Sequence, residues 1–127
     1  MNKYNIDNRE IKFRAVISPK TTIFFKLNDL LSDKFSVREI LKPWLLKNEP
    51  DQYTGLKDKN GKEIYEGDIL TTSLHNLTMK TNDKYHNVEG LVVFERGGFC
   101  AKFDEGDLWG FDSCQLLGSI FENPELL

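Results

Sequence analysis

Two histidines and two cysteines could between them ligate one zinc ion. Their spacing argues against it. Cys100 and Cys114 stand fourteen positions apart and His75 and His86 eleven, whereas structural zinc sites draw ligands in close sequence pairs. Nucleophilic catalysis needs a nucleophile, a base and an orienting group that converge. Nothing around either cysteine marks an activated thiol, and neither a G-x-S-x-G elbow nor a Gly-rich phosphate loop occurs. Carboxylates cluster twice, at Glu63, Glu66 and Asp68 and at Asp104, Glu105 and Asp107. Such groups can hold a cation or cleave a glycoside. Each cluster, however, flanks a glycine (Gly67, Gly106), where acidic side chains serve turns by bonding to nearby backbone. The expectation is a protein that is not an enzyme, with no catalytic set, no metal and no cofactor.

Binding leaves more of a trace. The net charge of −3 hides an asymmetry: residues 1–50 carry ten Lys and Arg against six Asp and Glu, residues 51–127 seven against fourteen. Arg9, Lys12, Arg14 and Lys26, with Lys20, form a candidate nucleic-acid face on the first two strands. The overall acidity (pI about 5.4) opposes tight non-specific binding, which depends on phosphate neutralisation. The acidic half admits a third reading, mimicry of a nucleic acid by Glu63, Glu66, Asp104, Glu105 and Asp107. A protein-binding surface would need exposed apolar side chains, for which Trp44 and Trp109 are the candidates.

These residues depend on short elements for their placement. Glu10–Ile17 alternates apolar Ile11, Phe13 and Ala15 with Lys12 and Arg14, the period of a half-buried strand. Ser18-Pro19 ends it, and the β-branched, aromatic run Thr21–Leu27 pairs back on it. Asn28–Lys34 is ambiguous, with room for one helical turn. Ser36 to Glu39 is a capping box, with Phe35 and Ile40 as its hydrophobic staple. Val37, Ile40, Leu41, Trp44 and Leu45 then follow at helical spacing, and Pro43 ends or kinks the helix. Beyond the linker at 47–51, Asn60-Gly61 marks a hairpin. Further strands are expected at Tyr53–Leu56, Ile64-Tyr65, Ile69–Leu74, Leu91–Phe94, Phe99–Phe103 and Gln115–Leu117. A polar loop spans 75–87, and a helical turn is expected near Asn123–Leu127. The expected fold class is mainly β (β-rich α+β), a small, partly open SH3-like barrel with a short helical insertion.

The 127 residues suit one domain. N-terminal strands would occupy 1–27, the helical insertion 28–50 and the barrel 51–127. No apolar run reaches the length of a membrane helix, and the first ten residues lack the apolar core of a signal peptide. Two cysteines supply no disulfide framework, so a reducing cytoplasm is expected.

The run Asp51-Gln52-Tyr53-Thr54-Gly55-Leu56-Lys57-Asp58, continuing through Asn60-Gly61 to Ile64-Tyr65-Glu66-Gly67-Asp68-Ile69-Leu70, resembles the signature of the YopX family of phage and prophage proteins. Arg9–Ala15 is similar to that family's opening strand, although Val16 stands where an aromatic often follows. Phe35–Ile40 and Pro43-Trp44-Leu45 resemble the insert of one branch, and Ile120–Leu127 its closing segment. The resemblance implies a bacterial cytoplasm during phage development and an SH3-like fold. It brings no activity or catalytic residue with it. The expected role is that of a binding module for a host or phage protein, with homo-oligomerisation and nucleic-acid binding as alternatives and no membrane partner.

Overall fold

The computed structural model describes residues 11–31, 35–78, 80–82 and 84–126. Among these residues nine strands form two antiparallel sheets, giving a mainly β, β-rich α+β fold. The first sheet has the order β2-β1-β3-β4, from β1 (Lys12–Ser18), β2 (Thr21–Lys26), β3 (Asp51–Lys57) and β4 (Glu63–Tyr65). The second has the order β8-β7-β6-β5-β9, from β5 (Asp68–Ser73), β6 (Asn87–Glu95), β7 (Gly98–Phe103), β8 (Gly106–Leu108) and β9 (Gln115–Ser119). Between β2 and β3 the chain forms α1 (Leu27–Leu31) and α2 (Phe35–Leu45).

Each sheet has its own core. Ile64, Leu70, Val88, Val92, Ala101, Phe103, Phe111 and Cys114 pack inside the curled second sheet. Ala15, Phe25 and Leu41 form a smaller cluster, joined by half-buried Phe13, Ile23, Leu30, Trp44 and Leu45, which holds α2 against β1 and β2. The helical backbone of α2 begins at Phe35, one residue ahead of the expected cap. The capping and staple contacts of Ser36 and Phe35 rest on side chains outside the described set. Pro43 has no N–H to give, yet the helix runs two residues past it, and Leu46 N–H still reaches the Lys42 carbonyl at 3.3 Å.

The Asn60-Gly61 hairpin forms as expected between β3 and β4, with Gly61 at φ 80°. Its organising group is Asp58, which is 5% exposed. Asp58 Oδ1 accepts the N–H groups of Asn60 and Lys62, and Oδ2 that of Leu116, each at 2.9 Å. One carboxylate thus shapes the turn and ties it to β9. Burial raises its pKa, but the three backbone donors outweigh burial, and the net shift is downward.

Gly67 closes the β4–β5 turn at a left-handed φ of 88°. Its N–H bonds to the Val92 carbonyl at 2.8 Å, and its own carbonyl accepts Ile120 N–H at 2.9 Å. A Cβ there would come within 2.9 Å of the Phe121 ring, so both the dihedral and the space call for glycine. In the second carboxylate cluster Asp104 and Glu105 form the tight turn between β7 and β8, while Asp107 lies on β8 itself. Strand β8 was not anticipated, because three residues after a turn are too few to show a period.

Candidate functional site

Strand β1 does not present one solvated face. It lies between β2 and β3, with Phe13 and Ala15 turned to the helical core and Lys12 and Arg14 turned toward β4 and β5. Arg14 is buried, at 7% exposure. Its Nε donates to Asp51 Oδ2 at 3.0 Å, and its two terminal nitrogens reach Asp68 Oδ1 at 2.6 Å and the Glu66 carbonyl at 3.2 Å. The guanidinium also lies over the Tyr65 ring, 5.1 Å from its centroid. Asp68 Oδ2 accepts Tyr65 N–H at 2.8 Å. The expectation that Arg14 belongs to an exposed basic face is therefore corrected: two buried aspartates claim its charge.

Electrostatics at this node follow from counting. One guanidinium serves two buried carboxylates, leaving one negative charge in excess when both ionise. Burial pushes Asp51 up to about 6 despite Arg14 beside it. Burial likewise raises Asp68, against the pull of Arg14 and the Tyr65 N–H. For Arg14, desolvation is outweighed by the two aspartates and its pKa rises. A cavity of about 380 Å³ opens beside the node, walled by Trp44, Lys47, Glu49 and Phe121 together with Arg14 and Asp51.

The other basic candidates are dispersed. Lys12 is paired with Glu63 and lies 4.7 Å from the centroid of the Tyr53 ring. Lys26 faces Lys12 across the β1–β2 register, at the end of the edge strand β2. Lys20 is exposed in the β1–β2 turn. Arg9 lies outside the described residues. Of the two tryptophans, Trp44 is half-buried against the helical core. Trp109 is 47% exposed and packs over Gly98, where a Cβ would meet its ring at 3.2 Å.

A second opening was not read from the sequence. A groove of about 470 Å³ runs between β3 and the β6–β7 hairpin. Ile11 and Leu56 stand on one side, Phe94 and Phe99 on the other, and Tyr53 is among its lining residues. Phe94 and Phe99 meet edge to face at 5.1 Å between centroids, yet Phe94 remains 55% exposed. Ile11 and Leu56 are exposed as well. Large apolar side chains gathered on one rim are what a docking surface requires. Only their spacing across two sheets reveals them.

Neither cysteine is placed as a nucleophile. Both are buried and free, and burial raises both thiol pKa values, whereas a reactive cysteine needs a depressed one. His75 is engaged through Nδ1 with the Thr81 carbonyl at 2.7 Å.

A family model described as YopX protein matches residues 4–127. Among solved structures, the crystal structure of protein EF1440 from Enterococcus faecalis is similar at 28% identity, with 95% of this chain and 81% of that chain covered and a TM-score of 0.46. No curated protein matches the chain.

Proposed function

We propose that this chain, which belongs to the YopX family, is a non-enzymatic binding module that takes a host or phage protein at the groove between β3 and the β6–β7 hairpin. The observation that carries the reading is the exposed apolar rim of Ile11, Leu56 and Phe94, with Trp109 beside it over Gly98. Aromatic anchors around a groove supply most of the energy in protein recognition. Several signature residues meanwhile serve the fold: Asp58 builds a turn, Gly67 bridges β6 and the closing segment, and Asp68 neutralises Arg14. Leu56 is the signature's own contribution to the rim, and Phe94 and Trp109, outside the signature, are where a partner can be chosen.

In this reading the protein works in the bacterial cytoplasm during phage development. No described helix is long and apolar enough to cross a membrane. Nucleic-acid binding is the weaker alternative, because Lys12 and Arg14 answer Glu63, Asp51 and Asp68. A second copy of the chain is another protein the groove could accept.

The test compares the full chain with Phe94→Asp in crosslinking pull-downs from bacterial lysate, alongside size-exclusion chromatography and DNA and RNA anisotropy at low and high salt. A protein held by the wild type and lost by Phe94→Asp, with the unfolding midpoint unchanged, is the expected result. A partner held equally by both, or salt-sensitive nucleic-acid binding alone, overturns the reading.

A further inference from the structure

Three adjacent strands bring unlike ligands to one face of the second sheet. Cys100 on β7 lies opposite Val93 of β6, so Glu95, two residues further along β6, shares its face. Asp107 on β8 lies opposite Lys102, two residues beyond Cys100, and shares that face too. One ligand atom from each of Glu95, Cys100 and Asp107 lies within 4.8 Å of the other two.

The Cys100 side chain is fully buried, and a second feature shows that the cluster is not satisfied by the protein alone. Glu95 Oε2 is held by Lys102 Nζ at 2.8 Å, while Glu95 Oε1 is buried with no hydrogen-bond partner among the described residues. A buried, unpaired carboxylate oxygen costs stability, and a cation is the partner that would relieve it.

We propose that Glu95, Cys100 and Asp107 form a binding site for a divalent transition-metal ion of zinc type. The mixed sulfur and oxygen set suits zinc, which takes both donors, over magnesium or calcium, which take oxygen. On binding, the metal displaces the Cys100 thiol proton to solvent. The thiolate and two carboxylates then carry three negative charges, balanced by the metal's two and the one of Lys102. Tetrahedral zinc would bring its donors to about 3.5 Å from each other, so the three side chains would draw in on the ion from a spacing that is now within 4.8 Å. Water completes the shell. The proposal is independent of the groove and stands or falls separately from it.

The test is a Co2+ titration of the reduced full chain, read by thiolate-to-metal charge-transfer absorption, followed by displacement with Zn2+. One equivalent should bind, with the band lost in Cys100→Ser and retained in Cys114→Ser. Asp107→Asn, at an exposed position that leaves the fold intact, should weaken binding by at least about tenfold, the lower bound for losing even an outer-shell support. If Cys100→Ser does not fold, Asp107→Asn decides, and unchanged affinity there overturns the proposal. So does a band that requires Cys114, or the absence of any band.

Discussion

Two buried aspartate sites lie within the same signature, Asp58 inside it and the Asp51–Asp68 pair toward its two ends, and the protein treats their charges in opposite ways. Asp58 is surrounded by backbone donors, three N–H groups on two oxygens, and its pKa falls despite burial. Asp51 and Asp68 share one guanidinium, and burial holds both above the ordinary carboxylate range. Surface exposure is alike at Asp58 and Asp51, 5% and 8%, but Asp51 and Asp68 lie deeper in the protein, and burial is the first cause of their upward shift. The second difference is whether the surroundings supply more positive potential than the carboxylates need. Aligned backbone amides do so with no counter-charge of their own to bury. A single arginine between two acids does not.

The sharpest way to break this contrast is to remove the shared cation. Arg14→Met should lower the unfolding free energy by about 3–5 kcal/mol, because two buried carboxylates lose their partner at once; urea denaturation measures it. Adding Asp51→Leu and Asp68→Asn to that variant should recover most of the loss, since a whole buried ion set replaced by packed side chains is often neutral. At the other site, Asp58→Ala strands three backbone N–H groups, two in the turn and one on β9. A loss of about 3 kcal/mol is expected, with exchange protection falling at the Lys62 and Leu116 amides.

The smallest effect is the most diagnostic. Asp51 has a folded pKa of about 6 against an ordinary 3.8, so its contribution to stability is full below 3.8 and is lost as pH rises through about 6. Asp68 shifts in the same direction. Asp58 is shifted the other way, so its contribution is present above 3.8 and is lost as pH falls through its folded value. Asp51→Asn should therefore flatten the decline in stability between about pH 4 and pH 6, removing a slope of up to about 1 kcal/mol per pH unit. Asp58→Asn should instead flatten the loss at more acid pH. Thermal melts across pH 3–8, read as variant minus wild type, would show the two limbs moving separately; a common limb would dissolve the contrast.

Local features were legible and distant pairings were not. Period-two alternation located β1, and β-branched and aromatic composition located β2 and β5, to within a residue or two; Asn60-Gly61 announced its hairpin because turn chemistry is written in adjacent residues. The role of Arg14 was misread for a physical reason. Alternation reports that one face differs from the other, and a polar face sealed by carboxylates 37 and 54 positions away has the same pattern as one facing water. A lone arginine on a strand whose other face is apolar, in a chain whose signature carries paired aspartates, was the available cue. The groove rim was likewise scattered over β3 and the β6–β7 hairpin, beyond what spacing can show. Cys100 and Asp107 were each weighed, but only antiparallel registry sets them beside Glu95.

The bond from Leu116 N–H to Asp58 spans 58 residues, and it has a consequence for how the chain is made. The β3–β4 hairpin is local and can form as soon as it leaves the ribosome. Its organising carboxylate then waits, with one oxygen unanswered, until β9 emerges. Strand β9 pairs with β5 on the same schedule, so the second sheet keeps an open edge until then. Contacts of such separation slow folding and leave that edge exposed to other chains. For this protein the vulnerable interval lasts until β9 is made, and a chain cut before Leu116 would leave a folded turn with nothing to fasten to.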